Sequence, residues 1–560
     1  MTWLQSLPAH RRDLLFLLLA AAVILAAGLG LRQPWPADEP RFVLLARTML
    51  DSGDYWFPRR GSELYADKPP LFMWLQVLAY RLVGHWNIAF LLPSLLAALG
   101  TLWLTHDLTR RLWGRRAARI AGWLLLFTVQ FTYQAKRAQI DPLLVFLVTL
   151  SCYGLLRHLL LGPHWRWYWA GCLAAGFGVI VKGVGVIALL MLLPFWLARR
   201  WPATRLAPIE PARGRWLLGA LAVLLPLLIW PAPMLWQVWQ HGDPGQIAYA
   251  REILFGQTAT RFVHPGGHLQ PPWYFLEVIA IAWLPLSLLL PWALPLAWRR
   301  LLRRRDARVL LPLGWAALVV LFFSLSPGKR DMYILPALPM LLVGLAPSLV
   351  WTLRLRAGRR VLLAANVVLA AGLLIAGLWA VLGTPGFESG FERSRGLAAD
   401  SDRLWWLCAS LGLAGLLVAA WFGQRRAFAG LGLTLAMTWT FGFGWIGFPM
   451  LDAANSSRAL MLRAGSIIGP EAELGLVAWR EQNLLQADRT VSEFGFSRPA
   501  AEQLARGIDW LALAPDRRWL LADAEALAAC VDRAGWIEVG QANRRRWVLI
   551  RYAVAASCQR

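Results

Sequence analysis

Residues 13–41 read DLLFLLLAAAVILAAGLGLRQPWPADEPR, and the fold is decided there. From 13 to 31 the stretch is apolar after Asp13, and its length suits a helix crossing a bilayer, which takes about 20 residues. It continues into Arg32, Pro34, Trp35 and Pro36 without a small-residue cleavage site, so the first helix is expected to stay in the protein. Immediately beyond stand Asp38 and Glu39, bracketed by prolines and followed by Arg41. Asp38 fits a helix N-cap with Pro40 in the first turn, and that explains one carboxylate. A capping acid is held ionised by the helix N-terminus, so capping and catalysis are compatible.

The rest of the chain repeats the apolar pattern. Of 560 residues, 58% are hydrophobic, 16% are charged and 34 are tryptophan, where a soluble domain would carry about 25% charged residues. Spans are expected at 13–31, 87–107, 119–134, 142–161, 168–181, 183–198, 216–235, 273–298, 309–324, 333–351, 361–382, 404–422 and 428–449. Spans five and six meet at Gly183 and are read as a hairpin. The formal net charge of +25 would suit nucleic acid in a soluble protein, but its arginines fall in short clusters between spans. Arg110–Arg119, Arg199–Arg215, Arg299–Arg308 and Arg354–Arg360 read as cytosolic loops under the positive-inside rule, and no contiguous basic face results. With Arg11 and Arg12 inside, alternation over thirteen spans leaves the C-terminal segment outside.

The fold class expected is therefore an all-α polytopic membrane protein, residues 1–449, followed by a C-terminal α/β domain at 450–560. Three outer segments exceed simple turns: 32–86, 236–272 and the tail from 450. The first contains amphipathic Phe42–Leu50 and apolar Leu71–Leu78, both suited to lie in the interface. In the tail, Leu474–Trp479 and Trp547–Ile550 read as strands, and Pro499–Leu513 and Asp523–Ala534 as helices. Cys152, Cys172 and Cys408 fall in spans as small apolar residues. Cys530 and Cys558 lie outside, where a disulfide is chemically allowed but not established by two cysteines.

Lysine usage points to the outer face. Among 57 basic residues only Lys68, Lys136, Lys182 and Lys329 are lysine, and all four map outside, the side the charge rule depletes. Codon bias explains scarcity but not position. An ammonium is a compact contact for phosphate, so Lys68 and Lys329 are candidate ligands for an anionic group at the membrane surface. Lys182, at the hairpin tip, reads equally as a snorkelling anchor. Asp141, in Lys136-Arg137-Ala138-Gln139-Ile140-Asp141-Pro142, repeats the acid-at-helix-start pattern of Asp38.

The combined pattern is more specific than its parts. An acidic pair follows the first span, Tyr65-Ala66-Asp67-Lys68-Pro69-Pro70-Leu71 stands later in that loop, and Gly328-Lys329-Arg330-Asp331-Met332-Tyr333-Ile334-Leu335-Pro336 opens a late helix. In these motifs the chain resembles the polyprenyl-phosphate-sugar glycosyltransferases of the GT-C fold. Within them it is most similar to the lipid A aminoarabinose transferases, related to protein O-mannosyltransferases. The resemblance implies transfer of 4-amino-4-deoxy-L-arabinose from undecaprenyl phosphate to lipid A phosphates at the periplasmic face of a bacterial inner membrane, with resistance to polymyxin as the consequence. It implies Asp38 as the essential carboxylate, with Glu39 and Asp141 as further catalytic candidates. Lys68 would hold the donor phosphate, with Tyr65, Arg261, Lys329, Arg330 and Tyr333 around the same pocket. Arg41 and Arg251 are the candidate substrate contacts, Arg251 against the alternative of a surface pair with Glu252. Where family members carry His or Asn ahead of the arginine at 261, this chain has Gln257-Thr258-Ala259-Thr260.

Cations preorganised around a departing lipid phosphate stabilise the transition state more than the ground state. A phosphate acceptor is already ionised, so the sequence leaves open whether Asp38 removes a proton, orients the attacking oxygen or stabilises charge on the sugar; a hydroxyl acceptor would require a base. A divalent metal would draw on His264, His268, Asp67 and Glu63, but these lack a recognised ligand spacing and read better as exposed loop residues. Two other classes compete. The same fold acting on a protein or glycan hydroxyl shares these motifs, whereas a transporter would show internal repeats and mid-span charges, which this chain lacks.

Overall fold

The computed structural model describes residues 7–201, 203–208, 210–260, 268–383, 401–527, 531 and 533–555. Among them six helices are long and apolar enough to cross a membrane: Trp86–Trp113, Ile140–Leu161, Ala307–Leu325, Arg356–Leu382, Asp402–Phe422 and Gln424–Trp445. Two bent pairs raise the number to eight if each is one span. These are Arg213–Ile229 with Pro231–His241, bent 42°, and Tyr274–Ala282 with Ser287–Arg304, bent 100°. The other five expected segments are helical but shorter or broken: Ala9–Ala26, Arg115–Phe127 followed by Val129–Ala135, Trp165–Lys182, Val184–Met191 followed by Leu192–Arg200, and Ala337–Thr352.

The breaks have local causes. Thr128 is extended, and its backbone N–H and hydroxyl both donate to the carbonyl of Leu124, which ends that helix. Pro231, which has no N–H to give to the preceding turn, stands at the 42° bend. At Gly183, φ +59, the chain doubles back. A Cβ on Gly185 would lie 2.0 Å from the carbonyl carbon of Gly178. Residues seven apart in a continuous helix would be separated by about 10 Å.

Glu39–Ser52 and Leu71–Val83, the two segments expected to lie in the interface, are helices joined by edge-to-face contact of Phe42 and Phe72 at 5.5 Å. Each stops at a left-handed glycine, Gly53 or Gly84, whose N–H closes the last turn. Between them β1 (Arg59–Arg60) and β2 (Glu63–Leu64) make a small hairpin.

Residues 473–550 carry a five-stranded sheet in the order β4-β3-β5-β7-β6. Its strands are β3 (Glu473–Val477), β4 (Val491–Glu493), β5 (Arg518–Asp523), β6 (Ile537–Ala542) and β7 (Arg545–Ile550). β3 is parallel to β4 and β5, whereas β7 is antiparallel to β5 and β6. Helices Glu481–Leu485 and Ala500–Ala512 make the parallel crossovers. One expectation, a helix over Asp523–Ala534, fails over its described part: Asp523 ends a strand and Ala524–Leu527 turn, so no α-helix starts at Asp523. Leu520–Asp523 pair with Trp547–Ile550, and the chain beyond Asp523 turns. The buried run Trp519–Asp523 is the signal, because a strand covered on both faces loses its alternation. Cys530 and Cys558 lie outside the described residues. One face of the sheet buries Leu474, Trp479, Trp519 and Trp547 together with Leu44 of the first interfacial helix, so the tail packs directly on the first outer loop.

Candidate active site

The site is built where helix Ala9–Ala26 ends and helix Ile140–Leu161 begins. Helix Ala9–Ala26 leaves carbonyls without partners, and the buried Lys136 ammonium donates to those of Ile24 (2.9 Å) and Ala27 (2.8 Å). Arg32 lies within 5.3 Å of the ring centroids of Trp35, Phe90 and Phe448. Its guanidinium pairs with fully buried Glu39 in two bonds of 2.5 and 2.8 Å. Glu39 also accepts the backbone N–H groups of Trp35 (2.8 Å) and Ala138 (3.0 Å). Burial alone would raise this carboxyl, but the Arg32 charge and these bonds hold it below its ordinary value. Both Glu39 oxygens are thus committed to protein donors.

Asp38 behaves differently. It stands at the N-cap position of Glu39–Ser52, yet its side chain makes no capping bond. One oxygen accepts from Gln139 Nε2 at 2.9 Å, and the other faces Arg41 at 3.6 Å. Arg41 continues to Glu481 at 2.8 Å, which also faces Arg60 at 3.6 Å. Buried Tyr65 completes the group: Arg60 lies 5.4 Å from its ring, and burial pushes its phenol upward against the pull of Arg41. Asp38, half-buried and held by one amide and one cation, is the carboxylate free to meet a substrate.

A second cluster adjoins it through the segment Lys136–Asp141. Asp141 pairs with Lys182 at 2.6 Å, and that ammonium lies 4.7 Å from the Tyr333 ring centroid. Two residues before Tyr333, Asp331 accepts from Gln130 Nε2 at 3.3 Å, while Trp283 donates to Gln130 Oε1 at 2.7 Å. Lys329 is buried, with Nζ on the carbonyl of Gln270 at 2.8 Å, which leaves further ammonium protons for a ligand. Arg330 meets His268 at 2.7 Å. Lys68 Nζ donates to the carbonyl of Asp67 at 3.0 Å.

Other candidates stand apart. Arg251 is exposed at the end of helix Pro244–Arg251. Arg261 and His264 lie outside the described residues. Glu63 accepts from the Ser497 hydroxyl at 2.7 Å, and among the described residues no three His, Cys, Asp or Glu side chains gather into a metal site. Four partners escaped the motif reading: Arg32, Gln139, Arg60 and Glu481. Arg32 was signalled by an arginine set at the end of an apolar span; the others depend on contacts across 100 or more residues.

An apolar helical body with carboxylates and cations gathered at the end of its first helix has the architecture of a GT-C glycosyltransferase. Residues 67–230 match a family described as dolichyl-phosphate-mannose-protein mannosyltransferase. The structure superposes on ArnT from Cupriavidus metallidurans bound to undecaprenyl phosphate with a TM-score of 0.73, covering 97% of this chain and 98% of that one at 20% identity. An oligosaccharyltransferase from Archaeoglobus fulgidus shares the fold at a TM-score of 0.51, covering 92% of this chain and 70% of the other at 13% identity. In sequence, the undecaprenyl phosphate-alpha-4-amino-4-deoxy-L-arabinose arabinosyl transferase of Pseudomonas aeruginosa is 32% identical over 384 residues, 67% of this chain and 66% of that protein. The corresponding transferase 1 of Pseudomonas fluorescens is 31% identical over 68% of this chain and 66% of the relative. The chain belongs to this arabinosyl transferase family, and the alignment spans just under two thirds of these relatives' own length.

Proposed function

We propose that this chain transfers 4-amino-4-deoxy-L-arabinose from undecaprenyl phosphate to a lipid A phosphate at the periplasmic face of the inner membrane. The observation that carries the reading is Asp38, a half-buried carboxylate held by Gln139 and Arg41 at the outer end of the first helix, in a chain whose relatives bear that transferase name. In this reading thirteen spans cross the membrane within residues 1–449 and residues 450–560 stand outside it; six long apolar helices, two bent pairs and five shorter helices among the described residues support it.

Asp38 meets the attacking acceptor or the sugar. Lys68, Lys329 and Arg330 receive the donor phosphate, with Tyr65 and Tyr333 beside it and Arg261 supplied from the middle outer loop. Charge accumulating on the departing phosphate is stabilised by cations already in place. Glu39 positions Asp38 through Arg32 and Ala138, and Asp141 holds Lys182. Arg41 joins Asp38 to the outer unit, whereas exposed Arg251 is a substrate contact only if the acceptor reaches over that helix. A second reading, a hydroxyl acceptor with Asp38 as base, is favoured by the match of residues 67–230 to the protein mannosyltransferase family.

The test is mass spectrometry of lipid A from donor-making cells that lack their own transferase, complemented with this chain or its Asp38→Ala variant. A pentosamine increment that vanishes with the variant supports the reading. No increment from a well-expressed wild-type chain overturns lipid A as acceptor.

A further inference from the structure

The mechanism above leaves the carboxyl ends of the tail sheet's parallel strands unused. β3 stands between parallel β4 and β5, with the crossover to β4 on one side and the return to β5 on the other. In open sheets of this kind ligands bind outside the carboxyl ends of the strands where the connections diverge. Here those ends are Val477 of β3 and Asp523 of β5. Beyond Val477 the chain turns through Ala478, φ +53, whose N–H is held by Gln503 Oε1 at 2.9 Å, and delivers Arg480 and Glu481.

Four guanidinium groups converge there. Arg41 and Arg60 of the first outer loop face Glu481, and Arg545 at the start of β7 pairs with Asp523. Arg480 is the fourth: half-buried, within electrostatic reach of Arg545, Glu481, Asp523 and Arg41, and without an ion pair among the described residues. Burial, then the charge of Arg545, pulls this guanidinium below its ordinary value against the opposing charges of Glu481 and Asp523. A planar guanidinium fork with unspent donors beside other cations suits the oxygens of a phosphate. This end of the sheet reaches Asp38 through one residue, since Arg41 faces Asp38 at 3.6 Å and Glu481 at 2.8 Å.

We infer that the group of residues at the carboxyl ends of β3 and β5, centred on Arg480, binds a phosphate group of the acceptor lipid's sugar headgroup and presents that headgroup to Asp38. The inference rests on the acceptor reading above and deepens it. It gives the tail a role in acceptor choice: the donor phosphate is held by the lysines of the spanning body, whereas the acceptor headgroup, which stands out of the bilayer, is gripped from the water side.

The experiment uses the full chain in nanodiscs, comparing wild type with Arg480→Ala, Arg480→Lys and the surface control Arg506→Ala. Acceptor binding is measured with bis-phosphorylated lipid A, the same lipid after phosphatase treatment, and inorganic phosphate as competitor; donor binding and turnover are followed in parallel. Loss of a charge-assisted contact predicts that Arg480→Ala raises the acceptor KM about tenfold or more, with donor affinity unchanged and Arg480→Lys between the two. The wild-type preference for the phosphorylated lipid should disappear in Arg480→Ala. Competition by millimolar inorganic phosphate in wild type alone identifies a site for phosphate itself; lack of competition with the lipid preference intact identifies one that needs the headgroup. Equal acceptor KM in wild type and Arg480→Ala overturns the inference, as does equal loss of affinity for both lipids. A wild-type chain that binds donor but transfers nothing to lipid A defeats the acceptor reading instead, and the two failures are told apart by the wild-type lane.

Discussion

Glu39→Gln tests whether the second acid of the pair is structural. The substitution keeps shape and removes charge. In the structure one Glu39 oxygen accepts from Arg32 at 2.5 Å and Trp35 at 2.8 Å, the other from Arg32 at 2.8 Å and Ala138 at 3.0 Å. Whichever way a glutamine amide is turned, its NH2 faces two donors, so two bonds become donor against donor. Hydrogen bonds to charged groups are worth roughly 1.5–3 kcal/mol each, and breaking one side of a buried ion pair costs about 3–5 kcal/mol. Arg32 keeps bonds to the carbonyls of Gln33 (3.0 Å) and Lys136 (3.1 Å), which places the loss toward the lower end, about 3 kcal/mol.

The assay is the fraction of protein remaining monodisperse after heating in detergent, beside Asp38→Asn. Glu39→Gln should fall apart at clearly lower temperature, whereas Asp38→Asn should match wild type in stability while losing turnover. The pH dependence has a fixed sign. The folded carboxyl lies below its ordinary value of 4.5, so its stabilisation is complete above that value and is lost as pH falls through the folded value. Wild type should therefore weaken in acid below pH 4.5 by a margin that Glu39→Gln no longer shows. Equal thermal stability of Glu39→Gln and wild type at neutral pH refutes the assignment and returns Glu39 to the catalytic candidates.

Gln139→Leu should lower kcat about tenfold or more with donor KM nearly unchanged, because Asp38 loses the amide 2.9 Å away that orients it. An unchanged kcat in Gln139→Leu would show that the contact does not govern Asp38. Lys68→Ala should weaken donor binding about tenfold or more, and unchanged binding and turnover in a donor titration would remove it from the phosphate site. Gly185→Leu should prevent accumulation of folded protein, as its Cβ would fall 2.0 Å from the Gly178 carbonyl carbon; normal yield by fluorescence-detected gel filtration would contradict the hairpin packing.

How far the sequence reached depends on the range of the interactions involved. The apolar spans, the two interfacial helices and the strand at Leu474 were legible because hydropathy and periodicity are local. The helix read from Asp523 fails at its start, because Asp523 closes a strand paired with Trp547 of β7, which lies beyond any local window. Asp38 and Glu39 looked equivalent in Pro36-Ala37-Asp38-Glu39-Pro40, adjacent acids beside one arginine. What separates them is a seven-residue step back to Arg32 for Glu39 and a hundred-residue step to Gln139 for Asp38. Lys136 and Lys182 were rightly singled out as unusual, yet the first spends its protons on carbonyls that end a helix and the second on Asp141. Scarcity marked them; only packing distinguished a cap from a contact.

That division of labour explains why an acid pair rather than a single acid stands after the first span. The 32–86 segment is fastened on one side to the helical body by Glu39, through Arg32 and the 136–139 segment, and on the other by residues of the tail. There Asp452 accepts from Gln33 N at 2.8 Å and Trp35 Nε1 at 2.7 Å, Gln486 donates to the Pro34 carbonyl at 3.2 Å, and Glu493 accepts from Ser62 N at 2.8 Å. Gly61 permits the last contact, because a Cβ there would lie 2.8 Å from the Glu493 carboxylate. Asp38 is carried between these two fastenings, bonded by the Gln139 amide at 2.9 Å and facing Arg41 at 3.6 Å. A reactive group is effective when its support is rigid and its own bonding capacity is left partly unspent. Glu39 and Glu481 supply the rigidity on either side, so loosening either fastening should lower turnover even though neither carboxylate touches the reacting atoms.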